Sequence, residues 1–272
     1  MDNFLIITNE IKDDDFRVTR RLEELLRARD KSVERFEGQQ ISAKTDCAIV
    51  IGGDGTLLIA ARLLVDKNIP ILGVNLGTMG FLVEVRVDEL ADAVDHLVRD
   101  DYFIEERMLI RGELMKAGET VRTTFALNDL VVAKNSALSI IRYNVIVNGR
   151  LLYSYNADGM IVSTPTGSTG YSLSAGGPIV EPTAELFVLT PICAHSLGAR
   201  SIVLSSQDRV EIELSKVRRN IRPQGTVVSD GISIGELFCG DRLVITKSPR
   251  KTKLIKLDQV SFLETMRRKM NV

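Results

Sequence analysis

The 272-residue sequence has no tryptophan, only two histidines and only three cysteines. Cys47, Cys193 and Cys239 are widely spaced, odd in number and without a CxxC pair, which argues against a zinc site and a disulfide framework. So few thiols fit a reducing, cytoplasmic compartment. The start, Met1-Asp2-Asn3, lacks the basic residues and apolar run of a secretory signal, and no stretch is apolar and long enough to span a membrane. An excess of one charge is missing too. Lys and Arg number 35 against 36 Asp and Glu, a net charge of -1, so no general attraction to nucleic acid or membrane is expected. The basic residues near the C-terminus, Arg250, Lys251, Lys253, Lys256, Arg267, Arg268 and Lys269, read as a solvated face. What is present, 44% hydrophobic and 26% charged residues, is the composition of a soluble globular protein long enough for one large or two ordinary domains.

The first hundred residues alternate between short apolar runs and helical spacing. Phe4–Thr8, Ala48–Ile51 and Pro70–Asn75 read as buried strands. Arg17–Arg29, with Val18, Leu22, Leu25 and Leu26 at helical spacing, and Leu57–Val65 read as helices. Asp88 is placed to cap a third helix that runs through Arg99. Such alternation implies a parallel sheet covered by helices, with ligands beyond the C-terminal strand ends. After about residue 100 the pattern becomes β-rich: Leu109–Met115, Ala126–Ala133, Ile140–Val147, Met160–Ser163, Ser201–Leu204, Val210–Leu214 and Arg242–Thr246, with Asn148-Gly149 as a hairpin turn. No proline- or glycine-rich linker marks the boundary near 100–106, so closely packed domains are expected, and the tail from Ser261 suits a short final helix.

Gly52-Gly53-Asp54-Gly55-Thr56 lies between the apolar runs Cys47–Ile51 and Leu57–Ala61, in the order strand, glycine turn, helix start. Glycines let backbone N–H groups approach a phosphate closely. A carboxylate in such a turn would repel a phosphate unless it binds Mg²⁺ or takes a proton from a hydroxyl. The turn is neither a Walker A loop, whose lysine it lacks, nor a GxGxxG fingerprint. Phosphate must then be held by backbone N–H groups, Mg²⁺ or cations from elsewhere; an ordinary tight turn is the plain alternative. The segment Asp158–Pro178 holds seven Ser or Thr residues and five glycines, a density of neutral donors and acceptors that suits a sugar or a nucleobase. Asn128-Asp129 interrupts an apolar run and needs partners, in a bulge or in a ligand. His96 reads as a surface residue. His195 follows a proline turn and is open to a structural or a site role.

Together GGDGT, Asn128-Asp129, the segment Gly73–Leu82 and TPTGSTGYSLSAGGP resemble the NAD kinase family over most of the chain. GGDGT alone is shared with phosphofructokinases and with diacylglycerol and sphingosine kinases; the second segment separates them. The resemblance implies an α/β plus β architecture. A Rossmann-like α/β domain would span 1–104, with the tail 255–272 returning to it, and a β-sandwich, NAD-binding domain would span 105–254, the site lying between them. It implies phosphorylation of the adenosine ribose 2′-OH of NAD, with Mg²⁺ or another divalent cation, ATP or polyphosphate as donor, and a homodimer or homotetramer. By motif position Asp54 is the general base, and Gly52, Gly53, Gly55 and Thr56 hold the donor phosphates. The NAD-binding set is Asp54, Gly55, Asn128, Asp129, Asn156, Asp158, Thr166, Thr169, Gly170, Tyr171, Ser172, Ser174 and Asp230; no protein metal ligand is implied. Four positions depart from the family's habit: Asp129 stands for glutamate, Gly170 for alanine, Ile232 for glutamine, and Asn156 for an arginine or glycine tied to donor choice.

Overall fold

In the computed structural model, which describes residues 1–77, 80–135, 141–195, 198–215, 224–258 and 262–270, the early apolar runs are parallel strands. β1 (Asn3–Thr8), β2 (Ser32–Arg35), β3 (Cys47–Gly52) and β4 (Ile71–Asn75) alternate with α1 (Arg17–Arg27) and α2 (Asp54–Leu64), and α3 (Leu90–Val98) follows. The order is β2-β1-β3-β4, with every neighbouring pair parallel. β3 and β4 are buried at every position, which is why they read as unbroken apolar runs. Leu22 and Leu26 of α1 and Leu90, Val94 and Leu97 of α3 share one core with Ile49, Ile51 and Val74. Asp88 does not cap α3. It lies inside a 3-10 turn, Val87–Glu89, and Glu89 instead accepts the Arg86 N–H at 3.0 Å.

The chain divides into two compact units, Met1–Arg107 with Lys251–Val272, and Met108–Arg250. The second unit is antiparallel. Its strands are β5 (Phe103–Lys116), β6 (Glu119–Ala126), β7 (Asp129–Lys134), β8 (Ile141–Val147), β9 (Arg150–Ala157), β10 (Gly159–Ser163), β11 (Leu186–Ile192), β12 (Ile202–Ser205), β13 (Val210–Ser215), β14 (Gln224–Ser229), β15 (Ile232–Phe238) and β16 (Arg242–Lys256). One sheet has the order β12-β11-β10-β7-β14-β15. A second layer pairs β9 with β8, β8 with β13 and β13 with the start of β16. Alternate residues from both layers meet in one core: Tyr143, Ile212 and Leu243 against Leu130, Val132, Met160, Val162 and Phe187. Asn148 and Gly149, with φ of 51° and 77°, turn β8 into β9 as their left-handed preference predicts.

The expected single run Ala126–Ala133 is two strands. It breaks at Leu127-Asn128, where β6 ends and β7 begins. Ile140 lies outside the described residues. β16 extends ten residues past the expected end, and its Leu254 pairs in parallel with Ile71 in the first unit. α5 (Phe262–Met270) completes that unit. Among the described residues no helix is long and apolar enough to cross a membrane.

Candidate functional site

The GGDGT turn lies at the C-terminal end of β3, beside the ends of β1 and β4. Gly52 is the last residue of β3 and Gly53 the N-cap of α2, so the amides of the following residues open the helix without intrahelical acceptors. A Cβ on Gly52 would stand 2.3 Å from the Thr56 hydroxyl, so that position must be glycine. Thr56 is buried, and its hydroxyl accepts the Asn9 side-chain N–H at 3.1 Å. The Thr56 hydroxyl fastens the turn to the residue that follows β1. Nothing lies within 4 Å of a Cβ on Gly55, which leaves open space over the start of α2.

Asp54 is the first residue of α2. Its carboxylate accepts three successive backbone N–H groups, from Phe81 at 2.7 Å, Leu82 at 3.1 Å and Val83 at 3.3 Å. Asp54 is therefore held by the segment that follows the second glycine turn. A Cβ on Gly80 would stand 1.8 Å from Asp54 Oδ1, so the close approach requires glycine there. Lys12 was not foreseen. Its ammonium would meet a Cβ on Gly53 at 3.2 Å, which places a cation beside the turn.

In the second unit the break between β6 and β7 is built by Asp230. Its carboxylate accepts the N–H of Leu127 at 2.7 Å, Asn128 at 2.8 Å and Asp129 at 3.0 Å. Asp230, expected as a ligand contact, thus anchors the loop that presents Asn128 and Asp129. Thr164 adds two bonds to the same loop, its N–H to the Asn128 carbonyl at 2.8 Å and its hydroxyl to that of Leu127 at 2.5 Å. The 3-10 turn Thr166–Thr169 then lies over the pair. A Cβ on Gly167 would meet the Asn128 carbonyl at 2.1 Å, and one on Gly170 would meet Asn128 Nδ2 at 3.4 Å. Asn128 Oδ1 is buried and, among the described residues, has no hydrogen-bond partner. Asp129 is only 6% exposed. Burial, and secondarily the charge of Asp230, push its carboxyl up from 3.8 to about 7.

Asp158 and Asn156 sit at the other end of β7 and β10. Asp129 pairs with Ser163 at one end and Ala133 with Gly159 at the other, about 13 Å away at the usual strand rise. The Asp158 carboxylate is 2.6 Å from Lys134 Nζ and 3.8 Å from His195 Nε2. The His195 N–H donates to the Asn156 carbonyl at 2.8 Å, and Arg142 Nε to Asn156 Oδ1 at 3.3 Å. His195 thus stands beside a candidate ligand residue. Lys134 was missed, its only signal being a lysine ending a buried strand. Between the two ends runs α4 (Tyr171–Ser174), followed by Ala175, which packs on Val131, Ile161 and Ile192. Tyr171 and Ser174 are exposed. Ser172, expected in the NAD-binding set, is fully buried, and its hydroxyl is 3.1 Å from that of Thr190, which anchors α4. Thr169 is half-buried, and its hydroxyl donates to the Thr166 carbonyl at 3.3 Å.

Both halves of this arrangement match known domain models. The ATP-NAD kinase N-terminal domain matches residues 7–102 and the ATP-NAD kinase C-terminal domain residues 127–257. The chain belongs to the NAD kinase family. Phosphoryl transfer to NAD, giving NADP, is the activity this membership carries. An NAD kinase of Lachnospira eligens is 41% identical, covering 99% of this chain and 100% of its own. One from Agathobacter rectalis is 43% identical, covering 99% of each. The structure of an Archaeoglobus fulgidus NAD kinase in complex with ATP is 26% identical with a TM-score of 0.81, over 99% of this chain and 98% of that one. A yeast NADH kinase complexed with NADH shares the fold at 22% identity, with a TM-score of 0.86 over 100% of this chain and 86% of that one. Among the described residues no group of three or more His, Cys, Asp or Glu side chains forms a metal cage.

Proposed function

We propose that the chain transfers the terminal phosphoryl group of ATP to the adenosine ribose 2′-OH of NAD, with Asp54 as the group that orients the hydroxyl and takes its proton. The supporting observation is the Asp54 carboxylate, an acceptor-only group fixed by three amides at the head of α2. The amides of Gly53, Asp54 and Gly55 receive the donor phosphates. Mg²⁺ bound with the donor neutralises charge on the group in transfer. NAD is held by Asn128, Asp129, Asn156, Asp158, Thr166, Thr169, Gly170, Tyr171 and Ser174, whose two clusters suit an extended ligand better than a single base or sugar. ATP is taken as the donor, the Archaeoglobus relative having been solved in complex with ATP, and polyphosphate is kept as the alternative. A cytoplasmic homodimer or homotetramer is the assembly this reading carries.

The test is direct. Purified protein with NAD and Mg²⁺ is supplied with ATP or polyphosphate, and NADP is read with an NADP-specific dehydrogenase. NADP should form with ATP, and a 2′-deoxyribose analogue of NAD should give no product. NAD binding without NADP from either donor would make the chain a silent nucleotide binder instead.

A further inference from the structure

The glycine turn lacks the lysine that a Walker A loop directs at phosphate, and α5 offers a replacement. Three basic residues, Arg267, Arg268 and Lys269, occupy its last turn, where cations favour the helix dipole. Arg268 pairs with Glu264 at 2.7 Å, and Arg267 is exposed. Lys269 alone turns inward. Its ammonium lies 4.1 Å from the centre of the Phe81 ring, and Phe262 of the same helix meets that ring at 6.4 Å between centroids. Phe81 is also the residue whose N–H reaches Asp54 at 2.7 Å, so α5 sets a cation on the segment that holds the carboxylate.

Among the described residues this ammonium has no carboxylate within ion-pair distance. Burial holds its pKa below the usual lysine value, and the charge of Asp54 offsets that only in part. Partial burial costs this cation free energy, and the face of the Phe81 ring is the contact that offsets it. A helix-end charge serving the dipole alone would sit in water at no such cost, as Arg267 does.

We propose that Lys269 is a catalytic residue that contacts the phosphoryl group in transfer and, alongside Lys12 at the turn, supplies charge in place of a Walker A lysine. This rests on the phosphoryl-transfer reading above. In the step, the bond from the terminal phosphorus to the bridging oxygen of ATP breaks and a bond to the ribose 2′ oxygen forms. The hydroxyl proton passes to Asp54 and ADP leaves. Lys269 keeps its protons and stabilises the negative oxygens.

The experiment compares Lys269→Met, Lys269→Arg and Lys269→Ala with the unaltered enzyme and with Asp54→Asn. Lys269→Met, which keeps the length of the stem, should lower kcat by about 10²–10³-fold, the usual loss for one group aimed at developing charge, with KM for NAD unchanged. Lys269→Arg should recover part of kcat, and added ethylammonium should partly restore Lys269→Ala. Normal kcat in Lys269→Met would overturn the proposal. So would a loss matched by a fallen melting temperature and without recovery by arginine or ethylammonium, which would make α5 a structural clip. Normal turnover in Asp54→Asn would instead remove the role given to Asp54, and Lys269 would still be judged by its own kcat.

Discussion

Gly80 carries no side chain because Asp54 fills that space. A Cβ would stand 1.8 Å from Oδ1, so Gly80→Ala must move either the carboxylate or the segment that grips it. Overpacking of this kind costs roughly 1–3 kcal/mol. We expect a lower melting temperature together with a kcat loss larger than the stability loss accounts for, measured by calorimetry and steady-state kinetics on the same sample. Asp129 gives a prediction in pH. Its carboxyl is raised from 3.8 to about 7, so the folded chain holds this proton more tightly than the unfolded one. The associated stability is fully present below about pH 4 and is lost as pH rises through about 7. Asp129→Asn cannot ionise, so it should be more stable than the unaltered chain at pH 8, by an amount on the order of 2–4 kcal/mol, and should lose that advantage toward pH 4. Urea unfolding at several pH values checks this; a difference that stays flat with pH would contradict it. Tyr171 is half exposed. If its ring stacks on NAD, Tyr171→Ala should raise KM for NAD roughly tenfold, in line with about 1–3 kcal/mol per stacked base. An unchanged KM would assign the ring to packing.

Elements of the first unit were the most legible. β1, β3, β4, α1 and α2 are all announced by their apolar residues within a residue or a turn. β2 and β9 were not, because Ser32–Arg35 has no buried residue and half of Arg150–Ala157 is exposed; β11, β14 and β15 were passed over too, although β11 is buried nearly throughout. The break between β6 and β7 was hidden for another reason. Its cause is a carboxylate about a hundred residues away, which no local pattern reveals. The same limit explains the site. Motif residues marked the turn and the hydroxyl-rich loop, yet which hydroxyls face inward is decided by neighbours in space. Ser172 shows the difference, since its partner Thr190 stands on β11. Ser172→Ala should cost about 0.5–1.5 kcal/mol, the worth of one hydrogen bond, since Thr190 keeps its contact with Ser201, with KM for NAD unchanged. A rise in KM without a loss of stability would return Ser172 to the ligand surface.

At the scale of the molecule, the chain has two compact units. The first carries a glycine turn and an oriented acid; the second carries a sheet whose outer face is lined by a polar loop. Membership in the NAD kinase family spans both, the N-terminal domain model matching residues 7–102 and the C-terminal one residues 127–257. Lys12, Lys134 and Lys269 show what a linear reading passes over: isolated lysines look like solvated charge until the fold sets them beside a turn, an aspartate or an aromatic ring. The account rests most heavily on Asp54. The decisive measurement is NADP formation from NAD and Mg²⁺-ATP by the unaltered chain and by Asp54→Asn, with circular dichroism to verify that both are folded. Steady NADP formation by the first, and a turnover lower by about 10²–10⁴-fold in the second, is the expected result. Equal turnover in the two proteins would contradict it.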